Sequence, residues 1–287
     1  MSMTQTSDQL QQQIWATEQE ILDVIHQVCT EHGLRYSLAY GTLIGAVRHK
    51  GFIPWDDDMD IGMLRDEYDK FIEIAPNELG KDYFLQTWVS DENYPHAYAK
   101  VRKLGTVYVE NVAQKSGAHK ELFVDVFPYD VYPDGKEERK SHGKQVMCYR
   151  YALQMKNNIK PWVRHKEFWK KLLGKVKYLP YIVYSKTKSR DELIHKADTA
   201  NRKYNGTKTE FYYEATGATP YGKWIIPSKC FENFDVKEFE GIDFAVPGDC
   251  NLYLSTAYGD YMQLPPYRKT RKSTSGNRTK AVKGENR

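Results

Sequence analysis

The stretch YGTLIGAVRHKGFIPWDDDMDIG, residues 40–62, carries the residues on which the reading of this chain turns. It sets a Gly-Thr turn, Gly41-Thr42, ahead of four aspartates in five positions: Asp56, Asp57, Asp58 and Asp60. Carboxylates this close repel one another by about 1 kcal/mol per pair even at the dielectric of water, and by more once partly buried. A bound cation reverses the sign of that cost. With residues 59–64 as a strand, alternation sends Asp58 and Asp60 to one face and Met59 and Ile61 to the other. Two adjacent carboxylates suit Mg2+, which takes only one or two protein carboxylates and fills its octahedron with water and phosphate oxygens. Mn2+ is the alternative ion. Asp58 and Asp60 are the first expected ligands.

Gly41 permits close backbone approach, and residues 42–49 are expected to form a short helix whose free N–H groups face an anion. Thr42 would cap that helix and also offer its hydroxyl to a phosphate oxygen. Arg48, with His49 and Lys50, lies between the turn and the aspartates, either touching the same phosphates or forming a basic loop. The competing explanation of the aspartates is an idle, solvated run. Against it stands an apolar frame, with Phe52, Ile53, Pro54 and Trp55 before the run and Ile61, Met63 and Leu64 after it.

Toward the N-terminus, Ser7 or Asp8 can cap a helix whose Leu10, Ile14, Ile21, Ile25 and Val28 follow helical spacing, with Gly33 past its end. Strands are expected at 34–40, 59–64, 84–87, 97–103 and 122–127, and a helix at 65–75. Beyond the turn Pro133-Asp134-Gly135 the character changes: 136–155 and 191–204 read as helices, and 234–246, broken near Glu240-Gly241, as a hairpin. Strands joined partly by helices imply an α+β or mixed α/β fold. The expected organisation is a catalytic core over 1–135, a helical basic and aromatic insertion over 136–205 and a C-terminal α/β part over 206–266. A disordered basic tail over 267–287, rich in Ser, Thr, Gly and Asn, follows.

Composition narrows the class. The 287 residues are 40% hydrophobic and 28% charged, with 22 Tyr, and the mean hydropathy is −0.71. That supports a real core under a wet, aromatic surface. Cys29, Cys148, Cys230 and Cys250 have no paired or metal-like spacing, which points to a reducing cytosol rather than a disulfide framework. The polar start MSMTQTSDQLQQQ has no apolar centre and is not expected to be a signal peptide. The apolar and aromatic run at 178–184 is too short to span a bilayer.

Three sets of residues carry a resemblance. Gly41-Thr42-Leu43, Gly45-Ala46-Val47-Arg48 and the run from Trp55 to Gly62 resemble the signature of the LicD family, which includes bacterial phosphocholine transferases and fukutin domains. The likeness continues at Lys100-Val101-Arg102 and at Phe123-Val124-Asp125-Val126-Phe127-Pro128. It ends at Tyr258-Gly259-Asp260-Tyr261-Met262 with Leu264-Pro265-Pro266, so that it covers roughly residues 20–266. A family pattern with a histidine soon after the Pro-Pro is not matched, since no histidine follows His195.

The resemblance implies a nucleotidyltransferase-like fold, here an α+β mixed-sheet core flanked by helices. It also implies a third carboxylate on a strand beside the aspartate pair, and Asp125 fits that place. A charge inside the apolar run LFVDVF needs a partner to be tolerable, and capping the chain reversal at Pro128 or pairing with a basic residue is its other explanation. Asp130, after Pro128, reads as turn chemistry, and Asp260 as a Gly-Asp turn after a helix. Lys100 and Arg102 alternate with Ala99 and Val101 and would emerge on one face, either as clamps for a nucleotide diphosphate or as the solvent face of an edge strand.

On the LicD pattern, two metal ions would activate an acceptor hydroxyl and steady the leaving phosphate. The donor is then a CDP-activated alcohol, CDP-choline first, and CMP leaves. The acceptor is a hydroxyl of a lipid-linked glycan or teichoic acid precursor. Residues 156–190 carry eleven Lys or Arg against one acid, Glu167, interleaved with Trp162, Phe168, Trp169, Leu172, Leu173 and Val176. Such a mixture suits an anionic membrane surface, at about 1 kcal/mol per basic residue, and nucleic acid nearly as well. Lipid-linked acceptors favour the membrane, so the protein is expected in the cytoplasm, peripheral on the inner face, with no nucleic acid partner. The rival readings are nucleotidyl transfer from an NTP, glycosyl transfer through a DxD, and a non-enzymatic binding protein.

Overall fold

A computed structural model describes residues 7–56, 58–108, 117–159, 167–214, 216 and 219–264. Asp57, Pro265, Pro266 and the 267–287 tail, about which the sequence raised expectations, lie outside the described residues.

The chain opens with α1, Ser7–Glu31. Its Ile14, Ile21, Ile25 and Val28 are buried at the expected helical spacing, and Gly33 follows with φ +64°. A strand was expected over 34–40, but only β1, Ser37–Leu38, forms, because the chain turns at Ala39-Tyr40 into α2, Tyr40–Arg48. Tyr40 takes φ +47° at that turn. The cap is the extended Ala39, with no side-chain cap bond. Thr42 is therefore not the cap; it is buried inside the helix.

β2, Asp60–Leu64, runs into α3, Arg65–Glu78, and β3, Tyr83–Gln86, follows. β4, Ala99–Lys103, and β5, Phe123–Tyr132, come next. The sheet order is β1-β2-β5-β4-β3, with β2 and β5 parallel and the other pairs antiparallel. The fold is thus α+β with a mixed sheet. β4 is an interior strand, so a solvent-facing edge at Lys100 and Arg102 is ruled out.

β5 is longer than the sequence predicts, ten residues continuing through Pro128, all buried. Asp130 accordingly lies in mid-strand and not in a turn. Its carboxylate accepts two hydrogen bonds from Arg65, at 2.8 and 2.5 Å, and one from Asn205 at 2.7 Å. A buried charge survives when it is paired and hydrogen-bonded.

Past β5, α4 (Lys136–Lys156) packs against α5 (Phe168–Lys186) and α6 (Arg190–Asn201). Tyr151 stacks edge-on to Tyr178 at 5.0 Å, and Leu153 and Leu193 share a small core. Ser189 caps α6 by accepting the Glu192 N–H at 3.0 Å, as the Ser-x-x-Glu spacing would direct. β6, Phe211–Tyr213, returns to the outer half of β5, and β7, Ile225–Pro227, pairs with β6, which makes this a seven-stranded sheet among the described residues.

The expected hairpin is β8, Phe234–Phe239, and β9, Ile242–Pro247. Both of its turn residues have positive φ, Glu240 at +49° and Gly241 at +81°, the geometry that a two-residue hairpin needs. Phe239, Phe244 and Val246 bury into the main core, and α7, Cys250–Tyr258, closes the chain against α2. All four cysteines are free. No helix among the described residues is long and apolar enough to cross a membrane.

Candidate active site

β2 and β5 lie side by side and parallel, and their register sets Asp60 directly beside Asp125. Neighbouring strands are about 4.8 Å apart, so two carboxylates on the same face of such a pair are unavoidably close. Met59 and Ile61 are fully buried on the opposite side, which is the alternation the sequence predicts. Asp58 and Asp56 precede β2 and line the same cavity as Asp60 and Asp125. Its volume is about 640 Å3.

The aspartate loop is held from two directions. From α1, the Gln11 and Trp15 side chains both donate to the Asp56 carbonyl at 3.1 Å. From α2, the space that a side chain on Gly41 would fill is taken by the Asp56 carboxylate, whose Oδ2 would lie 2.5 Å from a Cβ there. A side chain at position 41 would displace the Asp56 carboxylate from this place. The start of α2 therefore already faces a carboxylate. The Thr42 hydroxyl accepts the Asp60 N–H at 2.8 Å, so it fixes the start of β2 and does not line the cavity. That replaces its expected contact with a phosphate.

Burial, followed by the charges of Asp58, Asp125 and Asp56, pushes the Asp60 carboxyl well above the usual carboxylate range, with Lys100 opposing. Lys100 and Arg102 do share one face of β4, but the face is internal: each is 2% exposed. Lys100 Nζ lies 2.7 Å from Asp125 and 3.3 Å from the Phe123 ring centre. Arg102 donates to Gln86 at 2.6 Å and to the Glu121 carbonyl. Neither is among the residues lining the cavity, and in this structure their cationic ends meet these internal partners instead. Arg48 does line it, as the one Lys or Arg among the described lining residues, and donates to the Tyr261 carbonyl at 2.5 Å.

The donor set agrees in kind with an oxygen-preferring divalent ion. Asp56, Asp58, Asp60, Asp125, Glu214 and Asp260 line the cavity, with no histidine or cysteine. The charge crowding that raises the Asp60 carboxyl is what a cation would relieve. Among the described residues no three such side chains stand as a ready-made ligand group. Closing around an ion would require side-chain rotation, as Lys100 already engages Asp125.

Much of the remaining wall is aromatic and was not found from the sequence. Trp224 and Tyr258 have ring centres 4.9 Å apart, Tyr40 and Trp224 5.2 Å, and Tyr98 and Phe127 4.5 Å. All five line the cavity, with Trp55 and Tyr261. Thr219 Oγ1 is buried there without a hydrogen-bond partner among the described residues. Asp260, expected only as a turn after α7, does follow Gly259 at φ +72° but also reaches the cavity.

A parallel strand pair carrying adjacent aspartates, beside a helix that opens with Tyr40-Gly41-Thr42, is the arrangement that the resemblance to the LicD family implies. Residues 33–166 match the family model described as LicD/FKTN/FKRP, nucleotidyltransferase domain. The chain is 33% identical over 253 residues to the lipopolysaccharide cholinephosphotransferase LicD of Haemophilus influenzae, covering 86% of this chain and 89% of that one. It is 30% identical over 101 residues to the ribitol 5-phosphate transferase FKRP of Mus musculus, covering 35% of this chain and 17% of that one. An uncharacterized protein of Rickettsia typhi is 40% identical over 57 residues, 20% of this chain and 18% of that one. The chain belongs to the LicD family.

Proposed function

We propose that this chain transfers a phospho-alcohol, phosphocholine first, from a CDP-activated donor to a hydroxyl of a cell-surface glycan or teichoic acid precursor, releasing CMP. The observation that carries this reading is the pairing of Asp60 with Asp125 at a cavity whose remaining wall is aromatic. The two named transferases among its relatives, one of cholinephosphate and one of ribitol 5-phosphate, support the phospho-alcohol class.

Asp58, Asp60 and Asp125 would hold Mg2+, or Mn2+, which when bound offsets the charge of the diphosphate and of the leaving CMP. The residues of the chain do the rest. The phosphorus bearing the alcohol is attacked by the acceptor hydroxyl; its bond to the bridging oxygen breaks, and the hydroxyl proton passes to a carboxylate of the group, Asp125 by the family pattern. With the Asp56 carboxylate against Gly41, a phosphate nearing this end of α2 would meet like charge unless a cation lay between them. Arg48 is the residue to meet a phosphate oxygen directly. A trimethylammonium group is attracted to the faces of Trp and Tyr, and Tyr40, Trp224 and Tyr258 with Glu214 offer it both ring faces and a carboxylate. A membrane-linked acceptor would place the protein against an anionic membrane surface.

The test is product analysis with CDP-choline, Mg2+ and a glycan acceptor. CMP release that disappears in Asp58→Asn and Asp60→Asn, with both variants folded, is expected. Pyrophosphate released from CTP would instead assign nucleotidyl transfer, and near-normal turnover in both variants would remove the ligands.

A further inference from the structure

α5 has a face that nothing in the described fold covers. Trp169, Leu172, Leu173, Val176, Leu179 and Val183 are each more than half exposed, and Phe168 before them is 80% exposed. At 3.6 residues per turn they fall within an arc of roughly 140°. The opposite side of the helix packs on α4, where Ser185 is buried and Tyr178 and Tyr181 meet Tyr151 at 5.0 and 5.1 Å. Apolar residues on a helix normally turn inward; here the stripe turns away from the protein.

Charge brackets the stripe. The same spacing puts Lys175 and Lys186 along one border and Lys170 and Lys177 along the other. α5 contains no Asp or Glu, and Glu167 just before it lies 2.6 Å from Lys170. Beside the Lys175 border, between α4 and α5, is a cavity of about 470 Å3 lined by Lys156, Lys175, Lys186, Asn158, Met155 and Ile182, with Ser185 at its wall. Lys156 Nζ is fixed there by donating to the Ser185 and Lys188 carbonyls, at 3.2 and 2.7 Å. Three lysines and an asparagine line this concave space, with no acid among the described lining residues, a setting suited to an anionic oxygen group.

We propose that α5 lies in the plane of an anionic lipid surface, its apolar stripe sunk into the headgroup boundary and a lipid phosphate seated in the cavity of Lys156, Lys175 and Lys186. The helix is too polar on its other faces to cross the bilayer. Apolar burial and headgroup charge act together in such binding, and each basic residue near an anionic leaflet is worth about a fivefold factor in partitioning. A protein partner would leave the acid-free lysine borders unmatched unless it were itself strongly acidic; an anionic bilayer matches them along the whole helix. This inference deepens only the membrane placement in the proposed function, and vesicle binding can fail while CMP release persists.

The experiment is flotation of the full chain with vesicles of phosphatidylcholine alone and of phosphatidylcholine mixed equally with phosphatidylglycerol, with light scattering of the free protein. Expected are a monomer and binding to the anionic vesicles at least about tenfold tighter than to phosphatidylcholine. Leu173→Glu/Val176→Glu should weaken binding to both vesicle types at least about tenfold. Lys175→Glu/Lys186→Glu should erase the preference for phosphatidylglycerol. All four positions are on the surface, so unfolding is not the expected cause. No flotation, equal binding to the two vesicle types or unaltered binding in the variants would overturn the proposal. So would a dimer that dissociates on Leu173→Glu/Val176→Glu, which would assign the stripe to a second copy.

Discussion

At Asp60 the fold holds a carboxylate beside three others, and its folded-state pKa is raised, first by burial and then by Asp58, Asp125 and Asp56. The sign of the consequence follows from linkage. A group whose folded value lies above its unfolded value binds its proton more tightly in the fold, so ionisation weakens the fold. The penalty is absent below the ordinary aspartate range, grows as pH rises through it, and is complete above the raised folded value. Asp60→Asn should therefore melt about 2 °C or more above the wild type at neutral pH without metal, and the gap should close as the pH falls into the ordinary aspartate range. Calorimetric scans with and without Mg2+ check this: Mg2+ should raise the melting temperature of the wild type and not of the variant. The aspartate run was legible because its apolar frame and period of two are local signals. Thr42 was misread because its partner, the Asp60 N–H, is 18 residues away and no spacing rule connects them.

Among the elements, β4 and β5 separate what a local pattern reveals from what pairing decides. Strand alternation correctly put Lys100 and Arg102 on one face, but that this face is buried depends on what packs over it and on the side chains that β3 and β5 set beside the two cations. With neighbours on both sides the cations turn inward, to Asp125, Gln86 and Glu121. Pro128 suggested a chain reversal because proline removes a ladder donor. β5 continues through it, and Asp130 becomes the partner of Arg65, the first residue of α3. Breaking this buried pair from one side leaves an uncompensated charge, typically at a cost of about 3–5 kcal/mol. Asp130→Ala should lower the unfolding free energy obtained from urea melts by that order, and Arg65→Met/Asp130→Leu should recover most of the loss. Because Asp130 is not among the residues lining the catalytic cavity, the double variant should retain the capacity to release CMP. A loss of turnover in folded protein would place this pair in the reaction.

Over the whole molecule, the cavity draws on stretches that no motif connects. The Gly-Thr turn, the aspartates and Asp125 stand out in the sequence; Glu214, Thr219 and Trp224 do not, because only the return of β6 to β5 and the packing of α7 on α2 bring the C-terminal part across the site. With 22 tyrosines in the chain, composition could not single out the few that face a ligand. The basic, aromatic segment was legible as unusual, whereas the outward direction of its stripe is a property of how α5 sits on α4. In the proposed function the carboxylates and the aromatic wall together bind one CDP-alcohol. Calorimetric titration of CDP-choline, CDP-glycerol, CDP-ribitol and CTP, each with and without Mg2+, into the wild type and Asp58→Asn tests it most directly. Mg2+-dependent binding of CDP-choline in preference to the other three, lost in Asp58→Asn, is the predicted result; binding of CTP alone, or binding of none of the four, would contradict it.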